Sequence, residues 1–212
     1  VLNSCKALEE EGFSVTYLNV DEEGRVRTEE LKRAIRPNTI LISVMYANNE
    51  IGTIQPIDEI AKIAKARRIL FHTDAVQAYG QIPISVQQTP LDMLSTSSHK
   101  LYGPKGVGCL YIREGTPLKS YIDGGGQERG KRAGTENVPG IVGFGKASEL
   151  ARIEMPYRIA RETRLRDELI KNVLREIPYT RLNGGRENRL PNNANFCFQF
   201  VEGGNLLVLL DM

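Results

Sequence analysis

Cysteine is scarce in this sequence, and so is any large excess of charge of either sign, the formal net charge being +2. The three cysteines, Cys5, Cys109 and Cys197, are an odd set without zinc-ligand spacing, which excludes a disulfide framework and reads as a reduced intracellular protein. With 28 Lys+Arg against 26 Asp+Glu, and both signs interspersed in segments such as RIARETRLRDELIK, no basic stripe marks a nucleic-acid partner. No apolar run approaches the ~20 residues of a membrane span, so no membrane partner is expected. Internal repeats and low-complexity tracts are also absent. So is an initiator methionine: VLNSCKALEEEGF begins in helical pattern, with Leu2, Cys5 and Leu8 on one face, and NLLVLLDM stops as an apolar helix finishes. Both ends are therefore expected to be cut, and the lack of a targeting segment carries no weight.

What is present is 212 residues, 41% of them hydrophobic, enough for a sizeable core. SVTYLNV alternates and is rich in β-branched and aromatic residues, the pattern of a strand. TEELKRAIR follows as a helix with Thr28 as its N-cap. TILISVM is a continuous apolar run, as in a strand buried on both faces. Pro56 then opens a helix in which Ile57, Ile60, Ala61 and Ala64 recur at helical spacing, and ILFH is the next short strand. This alternation implies an α/β fold with a mostly parallel central sheet flanked by helices. GVGCLYIR supplies another strand. From Val138 to Arg175 the pattern is helical, broken or bent near Pro156, with Leu165, Leu169 and Val173 as its apolar repeat. A domain change is placed there, giving residues 1–154 to a large domain and 155–212 to part of a smaller α/β domain with YTRLN and NANFCFQF as strands.

In parallel sheets ligands bind at the carboxyl ends of the strands. That rule gathers Asn49 from NNEIG, Asp74 and Gln77 from the segment around ILFH, and Ser97, His99 and Lys100 from STSSHK onto one rim. Asp74 taken alone reads as a helix N-cap. Together with Lys100 it matches the needs of pyridoxal 5'-phosphate, whose ring nitrogen must be kept protonated by a carboxylate and whose aldehyde is carried by a lysine as a Schiff base. Ser97, Ser98 and His99 read either as loop polarity or as donors to a phosphate dianion. His72 reads as a core residue or a support for one that touches ligand, and Lys105 as solvent-facing or facing another subunit. GGQERGK fits the spacing of a nucleotide phosphate loop, but Arg132 stands where Ser or Thr is needed and LKSYID is a poor strand, so a flexible glycine-rich connection is preferred.

The segments YANNEIGTIQPI, FHTDAVQAYGQIPI, SSHKLYGPKGVGCLYIR and GGGQERGKRAGTENVPGIVGFGKA resemble the cysteine desulfurases of the iron-sulfur assembly type, members of the fold-type I pyridoxal phosphate enzymes. The likeness runs through nearly the whole chain. It implies Lys100 as the Schiff-base lysine, Asp74 as the partner of the pyridinium nitrogen, and Asn49 and Gln77 as contacts of the phenolic oxygen or the substrate. Ser97 and His99 match phosphate ligands, and Thr135 in RAGT matches a threonine that reaches the phosphate of the other subunit of a homodimer.

The resemblance further implies that L-cysteine is converted to L-alanine, with the amine of Lys100 moving the Cα proton and an enzyme cysteine taking the sulfur as a persulfide. Sulfur would pass on to acceptor proteins such as an iron-sulfur scaffold, in the cytoplasm, or in the mitochondrial matrix of a eukaryote. In the family that cysteine lies on a loop beyond the helix resembling GNLLVLLD, a ring-stacking histidine lies upstream, and the arginine for the substrate carboxylate lies downstream. None of the three matches a residue present, and Cys197, within an apparent strand, reads as an inert core thiol. The chain is therefore expected to be inactive alone. Two alternatives stay open: an aminotransferase of the same fold, and a non-catalytic fragment that pairs with a partner chain.

Overall fold

The computed structural model describes residues 2–212. In chain order the elements are α1 (Leu2–Glu10), α2 (Thr28–Ala34), β1 (Leu41–Met45), α3 (Ile57–Ala66), β2 (Leu70–Asp74), β3 (Met93–Ser97), a 3-10 turn (Ser98–Leu101) and β4 (Gly108–Ile112). They are followed by the short turn α4 (Gln127–Gly130), then α5 (Val138–Glu176), β5 (Thr180–Leu182), β6 (Phe196–Phe198) and α6 (Gly203–Asp211). The main sheet has the order β1-β2-β3-β4, with the first three strands parallel and β4 antiparallel to β3. A parallel pair needs a crossover, and α3 supplies it between β1 and β2. The predicted face of that helix is the buried one: Ile57, Ile60, Ala61 and Ala64 pack with Phe71, Ile42, Leu91 and Leu94 into the main core.

Burial alternates along β2, so Phe71 and Thr73 enter that core while His72 and Asp74 point to the opposite face. A second cluster joins Leu101 of the 3-10 turn to Phe144, Ala147 and Ala151 of α5. β5 and β6 form a separate two-stranded antiparallel sheet.

Several expectations change. SVTYLNV forms no strand; its only ladder contact is an isolated bridge from Val20 to Val26. A strand needs a hydrogen-bonding neighbour, and among the described residues none runs beside it. Thr28 is the first residue of α2 and not its cap, because Arg27 holds the extended cap position and the Thr28 hydroxyl turns toward Glu59, 3.5 Å away. α5 runs through Pro156 without a break; the carbonyl freed by the missing proline N–H belongs to Arg152, which is exposed and can be hydrated. The repeat at Leu165 and Leu169 is not the packed face, since these side chains are 46% and 50% exposed while Ile170 is buried. Cys197 is exposed on β6, because one face of the two-stranded sheet is uncovered among the described residues.

Candidate functional site

Each parallel strand ends at the same edge of the sheet, and each hands over to a turn that its own sequence stabilises. After β1, Asn48 bends the chain: its Oδ1 accepts from the backbone N–H groups of Glu50 (2.8 Å) and Ile51 (2.9 Å), and Gly52 closes the turn at φ 72°. Asn49 is exposed on this loop. After β2, the Asp74 carboxylate accepts from the N–H of Val76 through Oδ1 at 3.0 Å, and buried Ala75 and Ala78 anchor the turn that carries half-buried Gln77. The capping reading of Asp74 is thus partly realised on a turn and not on a helix. No other hydrogen bond reaches this carboxylate among the described residues.

After β3 the chain tightens into the 3-10 turn. Residues three apart share a side of such a turn, so Ser98 and Leu101 are buried together and His99 and Lys100 face out. Gly103 is needed here, since a Cβ on it would strike the Ser98 hydroxyl and lie 3.0 Å from Ala147. The Leu101 anchor on α5 therefore fixes where Lys100 stands. Lys100 forms no ion pair among the described residues. Ser97 Oγ lies 2.6 Å from His99 Nδ1, which joins these two polar groups at the strand end.

Under the rim, His72 is held between two strands: Nδ1 is 2.9 Å from Ser43 Oγ on β1 and Nε2 is 2.8 Å from Ser95 Oγ on β3. Either tautomer satisfies this arrangement, since a hydroxyl both donates and accepts. Burial lowers the His72 pKa from the ordinary histidine value, with the nearby Asp74 carboxylate opposing the shift. The alternation of β1, β2 and β3 could have revealed the row, because it sets Ser43, His72, Asp74 and Ser95 on one sheet face.

The rim thus brings together Asn49, Asp74, Gln77, Ser97, His99 and Lys100, all at or just beyond the ends of β1, β2 and β3. Thr135 is not gathered with them. It lies exposed on the glycine-rich connection before α5, whose residues Glu128 and Arg129 both take left-handed conformations. Two surface hollows lie away from the rim, one lined by Asp21, Arg27 and Glu59 among others, the second by Tyr79, Gly80 and Arg152 among others. A carboxylate, an unpaired amine and a hydroxyl-imidazole pair on one edge suit a ligand that carries a basic ring nitrogen, an aldehyde and a phosphate.

The family described as Aminotransferase class-V matches residues 1–212. The chain belongs to the class-V aminotransferase family. It is 58% identical over 212 residues to cysteine desulfurase IscS of Dictyoglomus turgidum, covering 100% of this chain and 54% of that protein. With cysteine desulfurase IscS of Clostridium botulinum the identity is 55% over 214 residues, covering 100% of this chain and 54% of that one. Among solved structures, a NifS-like protein superposes with a TM-score of 0.94 at 42% identity, over 99% of this chain and 57% of its own. SspA, solved in complex with cysteine, superposes with a TM-score of 0.81 at 39% identity, over 99% and 57%. The chain spans about half the length of the curated relatives it matches. As in these class-V relatives, the mixed α/β sheet with flanking helices is the fold-type I scaffold. Among the described residues no helix is long and apolar enough to cross a membrane.

Two groups escaped the reading of the sequence. One is the Ser43–His72–Ser95 row. The other is a buried arginine, Arg189, which with Asn193 and Asn195 grips the loop of Asn49 from a segment more than a hundred residues downstream. Local pattern could not reveal that pairing, because nothing in RLPNNAN encodes its distant partner.

Proposed function

We propose that the parent polypeptide is a pyridoxal phosphate-dependent cysteine desulfurase, and that these 212 residues supply its cofactor lysine and the carboxylate facing the ring nitrogen. The observation that carries this reading is the placement of Asp74 and Lys100 at the same end of two hydrogen-bonded parallel strands, in a chain 58% identical to a cysteine desulfurase. When bound, the cofactor supplies an electron sink that makes the substrate Cα–H acidic. Asp74 would hold a proton on the ring nitrogen with the carboxylate oxygen that Val76 leaves available. Lys100 would anchor the cofactor covalently and, once displaced by substrate, take the proton from Cα and return it. Ser97 and His99 would hold the phosphate, and Asn49 and Gln77 would orient the ring or the substrate.

The overall exchange balances: L-cysteine and an enzyme thiol become L-alanine and an enzyme persulfide, with no external oxidant or reductant. We place the receiving thiol outside these residues. Cys109 is exposed on β4, but partial desolvation of its thiol and the neighbouring Glu128 raise its pKa and disfavour the thiolate. L-Cysteine as substrate, an iron-sulfur scaffold among the sulfur acceptors, and a homodimer in which Thr135 reaches the partner's phosphate are parts of the same proposal. So is a boundary between large and small domains at 154/155, which would fall inside α5.

The test uses the full-length parent. Purified wild type releases alanine and, with a thiol reductant, sulfide from L-cysteine, while Lys100→Ala loses the visible absorbance of the anchored cofactor together with at least roughly a thousandfold in turnover. Survival of that absorbance band in the variant would assign the anchor to another lysine.

A further inference from the structure

The loop that carries Asn49 is held by more than its own turn. Backbone bonds run from Ile54 N to Asn188 O (2.8 Å) and from Leu190 N to Gly52 O (2.9 Å), and an isolated antiparallel bridge pairs Thr53 with Arg189. The backbone carbonyl of Glu50, directly after Asn49, accepts from two side-chain amides, Asn193 Nδ2 at 2.9 Å and Asn195 Nδ2 at 3.1 Å. A carbonyl has two lone-pair directions, so this one is filled from the downstream segment alone.

The amides are themselves aimed. Arg189 is 4% exposed and spends its guanidinium on oxygens of this segment: Nε on Gly185 O at 2.9 Å, Nη1 on Asn193 Oδ1 at 2.9 Å, and Nη2 on the carbonyl of Asn183. With its Oδ1 taken by arginine, the Asn193 amide must present Nδ2 to Glu50. Asn195 is oriented the same way, its Oδ1 accepting from Asn183 Nδ2 at 2.8 Å. The fit admits no side chain at position 52, because a Cβ on Gly52 would lie 2.5 Å from Asn193 Oδ1.

We infer that Arg189, acting through Asn193 and together with Asn195, is a positioning element for Asn49, fixing the Glu50–Ile51 peptide one residue beyond it and hence the path of the loop that presents its side chain to the ligand. This rests on the proposed role of Asn49 at the cofactor. Two neutral amide-to-carbonyl hydrogen bonds converge on the oxygen of this peptide while Asn48 Oδ1 holds its Ile51 N–H, so its rotation is restricted from both sides and the downstream amides supply the carbonyl half of that restraint.

The experiment follows the absorbance of the cofactor in the full-length holoenzyme as pH is varied. Asn49→Ala, Asn195→Ala and the double variant are compared with wild type. Asn195→Asp keeps the shape and lacks the donor, and it carries the test should Asn195→Ala fail to fold. The expected result is a displacement of the titration midpoint by about half a pH unit, roughly threefold in proton affinity, in the same direction for Asn195→Ala, Asn195→Asp and Asn49→Ala, with no further displacement in the double variant. In the cofactor-free protein the amides of residues 50–52 should exchange roughly tenfold faster in the Asn195 variants, with β2 unchanged. A wild-type titration in folded Asn195 variants, with Asn49→Ala displaced, overturns the inference. If Asn49→Ala is itself silent while Lys100→Ala loses the band, the role of Asn49 falls and this inference with it, but the cofactor assignment stands. A band that survives Lys100→Ala overturns the assignment itself.

Discussion

The half of the molecule around β1, β2 and β3 and the half from the middle of α5 onward use apolar residues in opposite ways. In the first, helical and strand periodicities point inward, and Ile60, Phe71 and Leu91 are fully buried. In the second, α6 buries none of its residues, and Leu165 and Leu169 face out although their spacing is that of a packed helix face. The difference teaches that a periodic apolar face states a demand for a partner and says nothing of where the partner comes from. Around the parallel sheet the partner is local, since α3 folds back over the strands it connects. Ile170 and Leu190 find cover in the later half, but for α6 and for Leu165 and Leu169 the partner is not among the described residues.

The largest expected effect breaks this comparison open. Phe71→Ala should destabilise these 212 residues by about 3–5 kcal/mol, whereas Leu165→Ala should stay within about 0.5 kcal/mol, both read from urea denaturation. Repeating the pair in the proposed full-length parent sharpens it: a rise for Leu165→Ala toward about 2 kcal/mol would measure the cover that such a parent adds. Equal costs in the shorter chain would contradict the exposure of that face.

At the rim the same contrast concerns chemistry and not stability. Asp74→Ala in the parent should lower kcat/KM for L-cysteine by roughly 10²–10³-fold, about 3–4 kcal/mol of transition-state stabilisation, while removing only one backbone contact, from Val76. An activity near wild type would leave the ring nitrogen without its proposed partner.

How much of this was legible in the sequence follows the same line. α3 and the mostly parallel sheet were readable, because a helix needs only its own period and strands joined through helices pair in parallel. The rim residues were readable for a related reason: once strands are parallel, their ends coincide. SVTYLNV was misread because a strand depends on a neighbour that sequence pattern does not name. Cys197 was misread because alternation tells which residues share a face but not whether that face is covered. The clasp of Arg189 on the Asn49 loop lay beyond reach, since it joins two irregular segments through carbonyls that carry no side-chain signature.

A smaller effect compares two glycines with the same backbone demand. Gly12 and Gly52 both take positive φ, 93° and 72°, but a Cβ meets nothing within 4 Å at Gly12 and strikes Asn193 at Gly52. Gly12→Ala should therefore cost only the strain of the left-handed region, about 1 kcal/mol, and Gly52→Ala about 2–3 kcal/mol, with the excess coming from the displaced clasp. Equal losses in thermal denaturation would mean that the loop yields without disturbing Asn193.

The smallest effect tests the polar face beneath the rim against the apolar core on the other side of the same strand. Phe71 contributes equally at every pH, whereas His72, lowered below the ordinary value of 6.5 by burial, is held neutral between Ser43 and Ser95. The unfolded chain then binds the proton more readily than the folded one. Stability from this site is complete above about pH 6.5 and declines as pH falls below it. His72→Asn removes the titration, so its urea midpoint should fall less than that of wild type between about pH 7 and about pH 5. Asp74 opposes the shift, and so Asp74→Asn in the cofactor-free protein should steepen the wild-type decline. In the Asp74→Asn/His72→Asn double variant that added slope should vanish, because the carboxylate acts on this pH range through the imidazole beside it.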